Sequence, residues 1–434
     1  MTYFSDAFSM SNTPEIAIRR DLHRYPETAF LEYRTASRVA ETLDGLGYEV
    51  RTGEAVMNPA SVSNPPSEEA AAEAVKRALS TGGIAHWIEQ MHGGLTAVVA
   101  EKRFGDGPVL AFRFDMDALT LVETEATDHG PNQHGCASTD PERMHGCGHD
   151  GHVAIGLTLA RTLAEMQGLG GTVRFIFQPA EEGGRGAVPI IDAGVLDDVD
   201  FLFVAHLGCF LGSGKVAPDA SGFLHSTKFE VTFEGQASHA AMAPQEGRNA
   251  LMAGATALLN LQGISRIAGE DSFVNVGKMS GGTTFNIIAD HCEMAVEVRA
   301  ETTAGHAYML ERAEAIIAGA AQLHAASHEM RIVSQLNGNW NHPDALAIID
   351  RAARSLSDLE VVKSWPIGGG DDASKMIARV NERGGVAAYF LIGSDITAPH
   401  HAENFDFDEA SLVSGRRVFE AIAQEILGKA LTRS

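Results

Sequence analysis

The sequence predicts an α/β domain made from both ends of the chain, with an α+β domain inserted between them. Between residues 95 and 206, compact apolar strands such as PVLAFRF and TVRFIFQ alternate with helices such as HVAIGLTLARTLAEM. This alternation is typical of a sheet that helices cover on both faces. From about residue 223, strands such as KFEVTFEG alternate apolar with polar residues, as strands with one exposed face do. Buried strands return after about residue 337. We therefore expect one domain over residues 1–222 and 338–434, and a second over residues 223–337.

The elements of the first domain begin with a helix at Thr13 and Pro14, because threonine caps helices and proline fits the first helical position. A second helix is expected from Tyr33 to Leu46. Residues 58–94 contain a stretch rich in Pro, Ser and Asn and two helical patterns, EEAAAEAVKRALS and IAHWIEQMHGG, and are interpreted as an insertion of two surface helices. The other predicted elements are the strands LTAVVAE, PVLAFRF, TVRFIFQ, FLFVAH and VAAYFLIG and the helices HVAIGLTLARTLAEM, AVPIIDAGVL, ALAIIDRAARSL and RRVFEAIAQEIL. In the second domain the strands KFEVTFEG and HCEMAVEVRA accompany two long helical patterns, NALMAGATALLNLQ and AGHAYMLERAEAIIAGAAQLHA.

Composition excludes several classes of protein. The 434 residues are 44% hydrophobic and 21% charged, which is ordinary globular composition. The net charge of −24 makes binding to nucleic acid or to an anionic membrane surface unfavourable. Four scattered cysteines do not form a disulfide scaffold. The first residues have neither the basic nor the apolar region of a secretion signal, and no apolar run is long enough to span a bilayer. These features predict a soluble cytoplasmic protein.

Residues that can bind metal follow the carboxyl ends of the predicted core strands. Ligand sites in open α/β sheets collect at that edge. A further segment, MHGCGHDGH, contains His145, Cys147, His149, Asp150 and His152 just ahead of a predicted helix. The candidates after the strands are Asp115, Asp117, Glu181, Glu182, His206, His400 and His401.

Thiolate, imidazole and carboxylate together suit zinc or another borderline divalent ion, and there are enough candidates for two ions. Individually each has an ordinary explanation: Cys136, Cys209 and Cys292 are interpreted as buried apolar residues, and a Glu-Glu pair is most often a solvated helix start. The convergence of several segments on one sheet edge nevertheless favours a metal site. In such a site one of the two adjacent glutamates can bind metal while the other takes a proton from water.

Several motifs resemble those of the M20 metallopeptidase family, in its amidohydrolase branch. They are DLHRYPETAFLEYRTASRVAETL, FRFDMDAL, MHGCGHDGHVAIGLTLA, FIFQPAEEGGRGA and SHAAMAP, and the resemblance covers essentially the whole chain. It implies a mixed-sheet metallopeptidase catalytic domain over residues 1–222 and 338–434, with residues 58–94 as a helical insertion. It also implies that residues 223–337 form an inserted dimerisation, or lid, domain.

The resemblance further implies two divalent ions per chain, zinc or manganese. Glu181 matches the general base, and Asp117 matches an aspartate that orients a ligand histidine. The implied metal ligands are Cys147, His149, Glu182, His206 and His400.

In the inserted domain, His239 matches a histidine that reaches the partner subunit's active site and polarises the substrate carbonyl. Asn286 and Arg299 match positions that bind the substrate's carboxylate, and a guanidinium can bind a carboxylate through two hydrogen bonds. One departure is Asp371, in GGGDDAS, where relatives often carry glutamate.

The leading hypothesis is a metal-dependent amidohydrolase that cleaves an N-acyl or N-aroyl amino acid, with p-aminobenzoyl-glutamate as the expected substrate. One alternative is a broader N-acyl-amino-acid deacylase or dipeptidase. Another is a non-catalytic subunit of a heteromeric hydrolase. The expected assembly is a homodimer with C2 symmetry through the inserted domain, or a pair with a homologous second subunit.

Overall fold

The computed structural model describes residues 13–336, 338 and 341–428. The first twelve residues, which bear on the secretion-signal expectation, and residue 337, at the expected domain boundary, lie outside these ranges. The helices of the described residues, apart from short 3-10 turns, are α1 (Pro14–Arg24), α2 (Tyr33–Gly45), α3 (Glu68–Ser80), α4 (Ala85–Ile88), α5 (Gly130–Gln133), α6 (His149–Glu165), α7 (Ala187–Asp192), α8 (Ala250–Gln262), α9 (Thr303–Leu323), α10 (Pro343–Arg354), α11 (Ala373–Glu382) and α12 (Ala410–Leu427).

The strands fall into an eight-stranded, a four-stranded and a two-stranded sheet. They are β1 (Glu49–Thr52), β2 (Val98–Arg103), β3 (Val109–Asp115), β4 (Thr172–Gln178), β5 (Phe201–Leu207), β6 (Lys215–Ala217), β7 (Asp219–Ser221), β8 (His225–Glu234), β9 (Ser272–Gly281), β10 (His291–Ala300), β11 (Ser327–Leu336), β12 (Glu360–Val361), β13 (Ser364–Pro366) and β14 (Val386–Ile392). The described residues divide into two compact units. Gly222–Gly338 is unit 2, and the chain on either side of it is unit 1.

Unit 1 is built on the eight-stranded sheet, in the order β1-β2-β4-β3-β5-β14-β6-β12. The four central strands β4, β3, β5 and β14 are parallel. Strands β1 and β2 are antiparallel to their neighbours, and β6 is antiparallel to β14 but parallel to β12. The sheet is therefore mixed, as the family resemblance implied. No helix among the described residues is both long and apolar enough to cross a membrane.

The two faces of the unit 1 sheet have different chemistry, because successive side chains of a strand point to opposite faces. On one face Phe112 and Phe114 of β3 meet Phe419 of α12, each at 5.2 Å between ring centroids and edge to face. This contact is part of a large apolar core that includes α6. The alternate residues of β3, Arg113 and Asp115, are also buried but belong to the opposite face. The sequence pattern PVLAFRF thus contributes an aromatic core on one side and a charged cluster on the other.

Unit 2 contains the four-stranded antiparallel sheet, in the order β11-β8-β10-β9. One face of β8, with Phe229, Val231 and Phe233, is buried in a core shared with α8 and α9, while Glu230 and Glu234 of the same strand are exposed. The predicted alternation of buried and exposed residues is confirmed here.

Three local differences from the sequence prediction have physical causes. The pattern IAHWIEQMHGG forms the single turn α4 and a separate 3-10 turn, His92–Gly94, and Gly93 (φ 67°) and Gly94 (φ 84°) have a left-handed backbone through which an α-helix does not continue. Strands β9 and β11 were not predicted. They are the two edges of their sheet and are mostly exposed, so their apolar pattern is weak.

The third difference is the start of α6, which lies within the MHGCGHDGH motif rather than after it. Gly148 occupies the N-cap position with φ 98°, and the helix begins at His149. A side chain at Gly151 would come within 2.7 Å of Leu207 and Phe407, so this glycine lets the first turn of α6 approach β5 closely. His149 and His152 therefore project from one helical turn, at the fixed spacing of a helix.

Candidate metal centre

The carboxyl ends of four parallel strands bring the predicted residues to one edge of the sheet. Asp115 is the last residue of β3, Glu181 follows the end of β4, and His206 is the penultimate residue of β5. His400 follows β14 through a loop. The motif Cys147-Gly148-His149 supplies the remaining side chains from the start of α6.

Two groups of candidate ligand atoms meet at this edge, and both include Cys147. One group is Cys147, His149 and Glu182, and the other is Cys147, His206 and His400. Within each group all the candidate atoms lie within 4.8 Å of one another. Cys147 Sγ lies 3.5 Å from His206 Nε2 and 3.7 Å from His400 Nδ1. The structure therefore brings all five predicted ligands together, with the thiol where the two groups overlap.

Hydrogen bonds to backbone carbonyl oxygens orient the rings of two of the histidines. His149 Nδ1 donates a hydrogen bond of 2.9 Å to the carbonyl oxygen of Asp117, and His206 Nδ1 donates one of 2.8 Å to that of Leu207. Each bond leaves Nε2 with its lone pair directed elsewhere, as in histidines that bind metal. His149 Nε2 is buried without a hydrogen-bond partner among the described residues; Asp115 Oδ2 is 3.7 Å away and Glu181 Oε2 is 3.9 Å away. A buried ring nitrogen without a partner is costly. Although burial lowers the pKa of His149, the negative charge of Asp115 raises it well above its ordinary value, so the surroundings of this ring favour a positive charge and fit a bound cation.

His400 is held differently. Its Nε2 accepts a hydrogen bond of 3.1 Å from the backbone N–H of Cys209, and its Nδ1 donates one of 3.2 Å to the carbonyl oxygen of Cys147. Both ring nitrogens are therefore engaged in this conformation. A neutral imidazole that binds a metal through either nitrogen has no lone pair left on Nε2 for this N–H group, so His400 must release the bond from Cys209 to bind a metal.

The turn that carries Glu181 and Glu182 is fixed by Asp117. Its two carboxylate oxygens accept hydrogen bonds from the backbone N–H groups of Glu181 and Glu182, at 3.0 and 2.9 Å. Ala180 has φ 54°, so the chain turns sharply just before the two glutamates. Asp117 thus bonds the predicted ligand His149 through its backbone oxygen, while its carboxylate, 3.4 Å from His149 Nδ1, holds the glutamate turn.

Asp115 and His152 lie close to His149 and form a third group of potential metal ligands. However, both nitrogens of His152 are already engaged. Nδ1 donates to Asp115 Oδ1 at 2.5 Å, and Nε2 accepts from the backbone N–H of Leu207 at 3.0 Å. His152 therefore supports the site through Asp115 and β5 and has no free lone pair for a metal.

A buried arginine, which the sequence analysis did not single out, lies beneath Glu181. Arg113 donates hydrogen bonds to Asp115 (2.6 Å), Asp371 (3.0 Å) and Asp372 (3.3 Å). Glu181, Asp371 and Asp372 in turn lie close together. A charged residue within a buried apolar strand was the signal in the sequence, but two of its partners, Asp371 and Asp372, lie more than 250 residues away. Asp371, which stands where relatives often carry glutamate, is accommodated here by its ion pair with Arg113.

Burial controls the protonation of the central groups. Burial, with Glu182 adding to it, raises the pKa of the Cys147 thiol well above its ordinary value. Burial also raises the pKa of Glu181, and the negative charges of Asp371 and Glu182 raise it further. Burial lowers the pKa of His206 well below its ordinary value, with His152 and His400 adding to the effect. His206 is therefore held as neutral imidazole, the form that binds metals, and Glu181 has a high affinity for a proton.

The three predicted substrate-binding residues belong to unit 2. His239 is exposed, and its Nδ1 accepts hydrogen bonds from the backbone N–H groups of Ala241 (3.2 Å) and Met242 (3.1 Å). These bonds place the ring proton on Nε2. The backbone N–H of Ala240 bonds the carbonyl oxygen of Asn286 at 3.0 Å, so His239 and Asn286 are neighbours. Arg299, on β10, pairs with Glu297 at 3.0 Å.

Comparison with known proteins identifies similar sequences over nearly the whole chain. The profile of peptidase family M20/M25/M40 matches residues 111–425. One of the subunits of p-aminobenzoyl-glutamate hydrolase from Escherichia coli is 40% identical over 95% of this chain and 93% of its own. The indole-3-acetyl-aspartic acid hydrolase of Enterobacter agglomerans is 41% identical over 90% of this chain and 91% of its own.

Comparison with solved structures also identifies a similar protein. A Bacillus subtilis protein described as a dinuclear metal-binding peptidase of family M20 is 25% identical, with a TM-score of 0.70. The alignment covers 95% of this chain and 97% of that chain. The shared fold therefore extends over nearly the whole of both proteins.

Proposed function

Because this chain belongs to peptidase family M20/M25/M40 and is a hydrolytic enzyme, we propose that it releases an acidic amino acid from an N-acyl or N-aroyl amide. The first substrate to test is p-aminobenzoyl-glutamate. The observation that carries this proposal is the pair of ligand groups that share Cys147 directly beside Glu181. We propose residues 1–222 and 338–434 as the catalytic domain and residues 223–337 as the dimerisation, or lid, domain.

We assign the metal ligands to Cys147, His149, Glu182, His206 and His400. The buried, unpaired His149 Nε2 and the mixed sulfur, nitrogen and oxygen donor set support this assignment. When bound, two divalent ions would polarise the scissile carbonyl and bring the pKa of a water molecule close to neutrality. The thiolate favours zinc, and manganese is the second candidate. The similarity to a dinuclear metal-binding peptidase supports two ions.

Glu181 is the proposed general base. Its side chain is almost fully buried beside His149, and nearby carboxylates and burial raise its pKa. It can therefore accept a proton from the attacking water and deliver it to the leaving amine. Its position is fixed, because the Asp117 carboxylate holds the backbone of the turn.

His239 is the proposed donor to the substrate carbonyl. With Nδ1 accepting two backbone hydrogen bonds, its Nε2–H can donate to the oxygen that gains charge as the amide is attacked. Asn286 beside it and Arg299 are the proposed partners of the substrate's carboxylate. Arg299 already pairs with a carboxylate, that of Glu297, which a substrate would have to displace or share.

We propose that unit 2 forms a C2 dimer and that His239 acts in the partner's active site. Edge strand β9 leaves its outer hydrogen-bonding groups without a strand partner within the sheet. Large apolar side chains are also exposed on this unit, as on surfaces that bind another protein. They include Met242, Met252, Leu259, Phe285 and Ile287.

Mixed dimers test this arrangement. Glu181→Gln chains and His239→Ala chains should each be inactive alone. After the chains are exchanged, the mixture should regain about a quarter of the wild-type activity, because half of the dimers are mixed and each has one intact composite site. No recovery, with exchange verified by differently tagged chains, would show that His239 does not serve the neighbouring site.

The choice of substrate is tested with a panel that varies the acyl group and the amino acid. We expect kcat/KM for p-aminobenzoyl-glutamate to exceed that for hippurate, which lacks the glutamate side chain and the ring amino group, and that for N-acetyl-glutamate, which lacks the ring. Indole-3-acetyl-aspartate, the substrate named for the Enterobacter relative, is the main competitor. Similar rates across the panel and with dipeptides would favour the broader deacylase or dipeptidase.

A pair with a homologous second chain is the alternative assembly. The name of the Escherichia coli relative describes that protein as one subunit of its hydrolase, which is the observation that favours this alternative. If this chain requires such a partner, the purified chain would bind metal but turn over the panel only after a homologous second chain is added.

A further inference from the structure

The loop after β5 contains a strained turn directly beside the metal centre. The backbone N–H of Leu211 donates a hydrogen bond of 2.9 Å to the carbonyl oxygen of Gly208, which closes a four-residue turn. The two central residues, Cys209 (φ 47°) and Phe210 (φ 60°), both have a left-handed backbone. Two positive φ angles at the central positions define a type I′ turn.

Cysteine and phenylalanine are unusual at these positions. Type I′ turns are dominated by Asn and Gly, because other side chains crowd the backbone when φ is positive. Such strain persists only where surrounding contacts enforce it, and it concentrates at functional sites.

Contacts on both sides of Phe210 enforce this conformation. The N–H of Cys209 bonds His400 Nε2 at 3.1 Å, and its carbonyl oxygen accepts a bond of 2.9 Å from the indole N–H of Trp365. On the other side Leu211 is fully buried, and its carbonyl oxygen accepts a bond of 2.8 Å from the N–H of Ser394. The bond to His400 is released when this histidine binds a metal, so in the loaded enzyme the turn is anchored by Trp365 on one side and by the core on the other.

The Phe210 ring, by contrast, is not buried by the fold. Its neighbours in the turn are buried, but Phe210 is 65% exposed. Phe210 thus presents a large apolar ring to solvent on a rigid and strained backbone, next to a residue that bonds His400. This arrangement is accounted for if the ring binds substrate.

We propose that Phe210 forms a wall of the acyl subsite and stacks against the aromatic ring of the substrate's acyl group. This inference rests on the proposed amidohydrolase function. The amino acid half of the substrate carries carboxylates and requires cationic or polar partners. An apolar ring suits the other half, and aromatic pairs gain energy beyond the area that they bury.

The test compares two substrates that share glutamate and differ in the acyl group. In the metal-loaded enzyme, Phe210→Ala should lower kcat/KM for p-aminobenzoyl-glutamate about tenfold more than for N-acetyl-glutamate. It should also weaken inhibition by the product p-aminobenzoate, while inhibition by glutamate changes less. Phe210→Tyr, which keeps the ring, should restore both properties. Leu79→Ala, which shortens an exposed apolar side chain on α3, is the control and should change neither.

Phe210→Gly separates the role of the ring from that of the backbone. Glycine adopts positive φ without strain, so this variant should have a higher Tm than the wild type and the same loss with the aromatic substrate. A loss of equal size with both substrates, or unchanged inhibition by p-aminobenzoate in Phe210→Ala, would overturn the inference and leave the amidohydrolase function standing. A wild-type enzyme that cleaves neither substrate would overturn the proposed function, and the inference with it.

Discussion

Replacing Glu181 with glutamine is expected to reduce turnover of p-aminobenzoyl-glutamate by about 10²–10⁴-fold, the usual contribution of a general base. Glutamine has nearly the same shape, so the turn held by the Asp117 carboxylate should survive. What is lost is the carboxylate, whose raised pKa suits it to take a proton from water. The measurement is kcat together with metal content by elemental analysis, which should stay at the wild-type level.

Glu182→Gln is the matched control for this variant. It changes the adjacent residue of the same turn, but we expect it to lower the metal content as well as the rate, because Glu182 belongs to a ligand group. Near wild-type turnover in Glu181→Gln would contradict its role as the base. A loss of metal in Glu181→Gln would instead make Glu181 a ligand.

Replacing Cys147 with alanine is expected to remove both metal ions and all measurable activity. Cys147 is the residue that the two ligand groups share, so its loss leaves each group with two side chains. By contrast, His149→Ala and His400→Ala each affect one group and should lose about one ion per chain. Metal stoichiometry of purified, zinc-reconstituted protein distinguishes these cases.

Cys209→Ala provides the control for the loss of a buried thiol. Its sulfur lies 3.5 Å from His206 Nδ1, but Cys209 is in neither ligand group. This variant should therefore keep about two ions per chain. Two ions bound by Cys147→Ala would refute the shared-ligand assignment, and wild-type protein that binds none would revive the non-catalytic interpretation.

The sequence determined the layers of unit 1 and the places where its chemistry-bearing residues emerge. Apolar strands such as TVRFIFQ are short, buried and bounded by turn residues, so local pattern alone located β3, β4, β5 and β14. Since parallel strands end at one edge, the residues that follow them had to converge there. The exposed edge strands β9 and β11 could not be found in this way, because their pattern is mostly polar and their identity depends on pairing with β8 and β10.

Only the tertiary structure decided what each converging side chain can do. Four of the histidines near the site look alike in the sequence, but their hydrogen bonds separate them. His149 and His206 bond backbone carbonyl oxygens through Nδ1 and direct Nε2 toward the other candidate ligands, whereas Nε2 of His152 and of His400 accepts a hydrogen bond from a backbone N–H. The acids that surround Glu181 and the arginine beneath it come from strands and loops far apart in the chain. Phe210 likewise lies in a strained turn whose partners, Trp365 and Ser394, are distant in the chain. Periodicity reports the burial of a residue's own segment, whereas a tautomer, a pKa or a strained backbone depends on partners that only folding brings into contact.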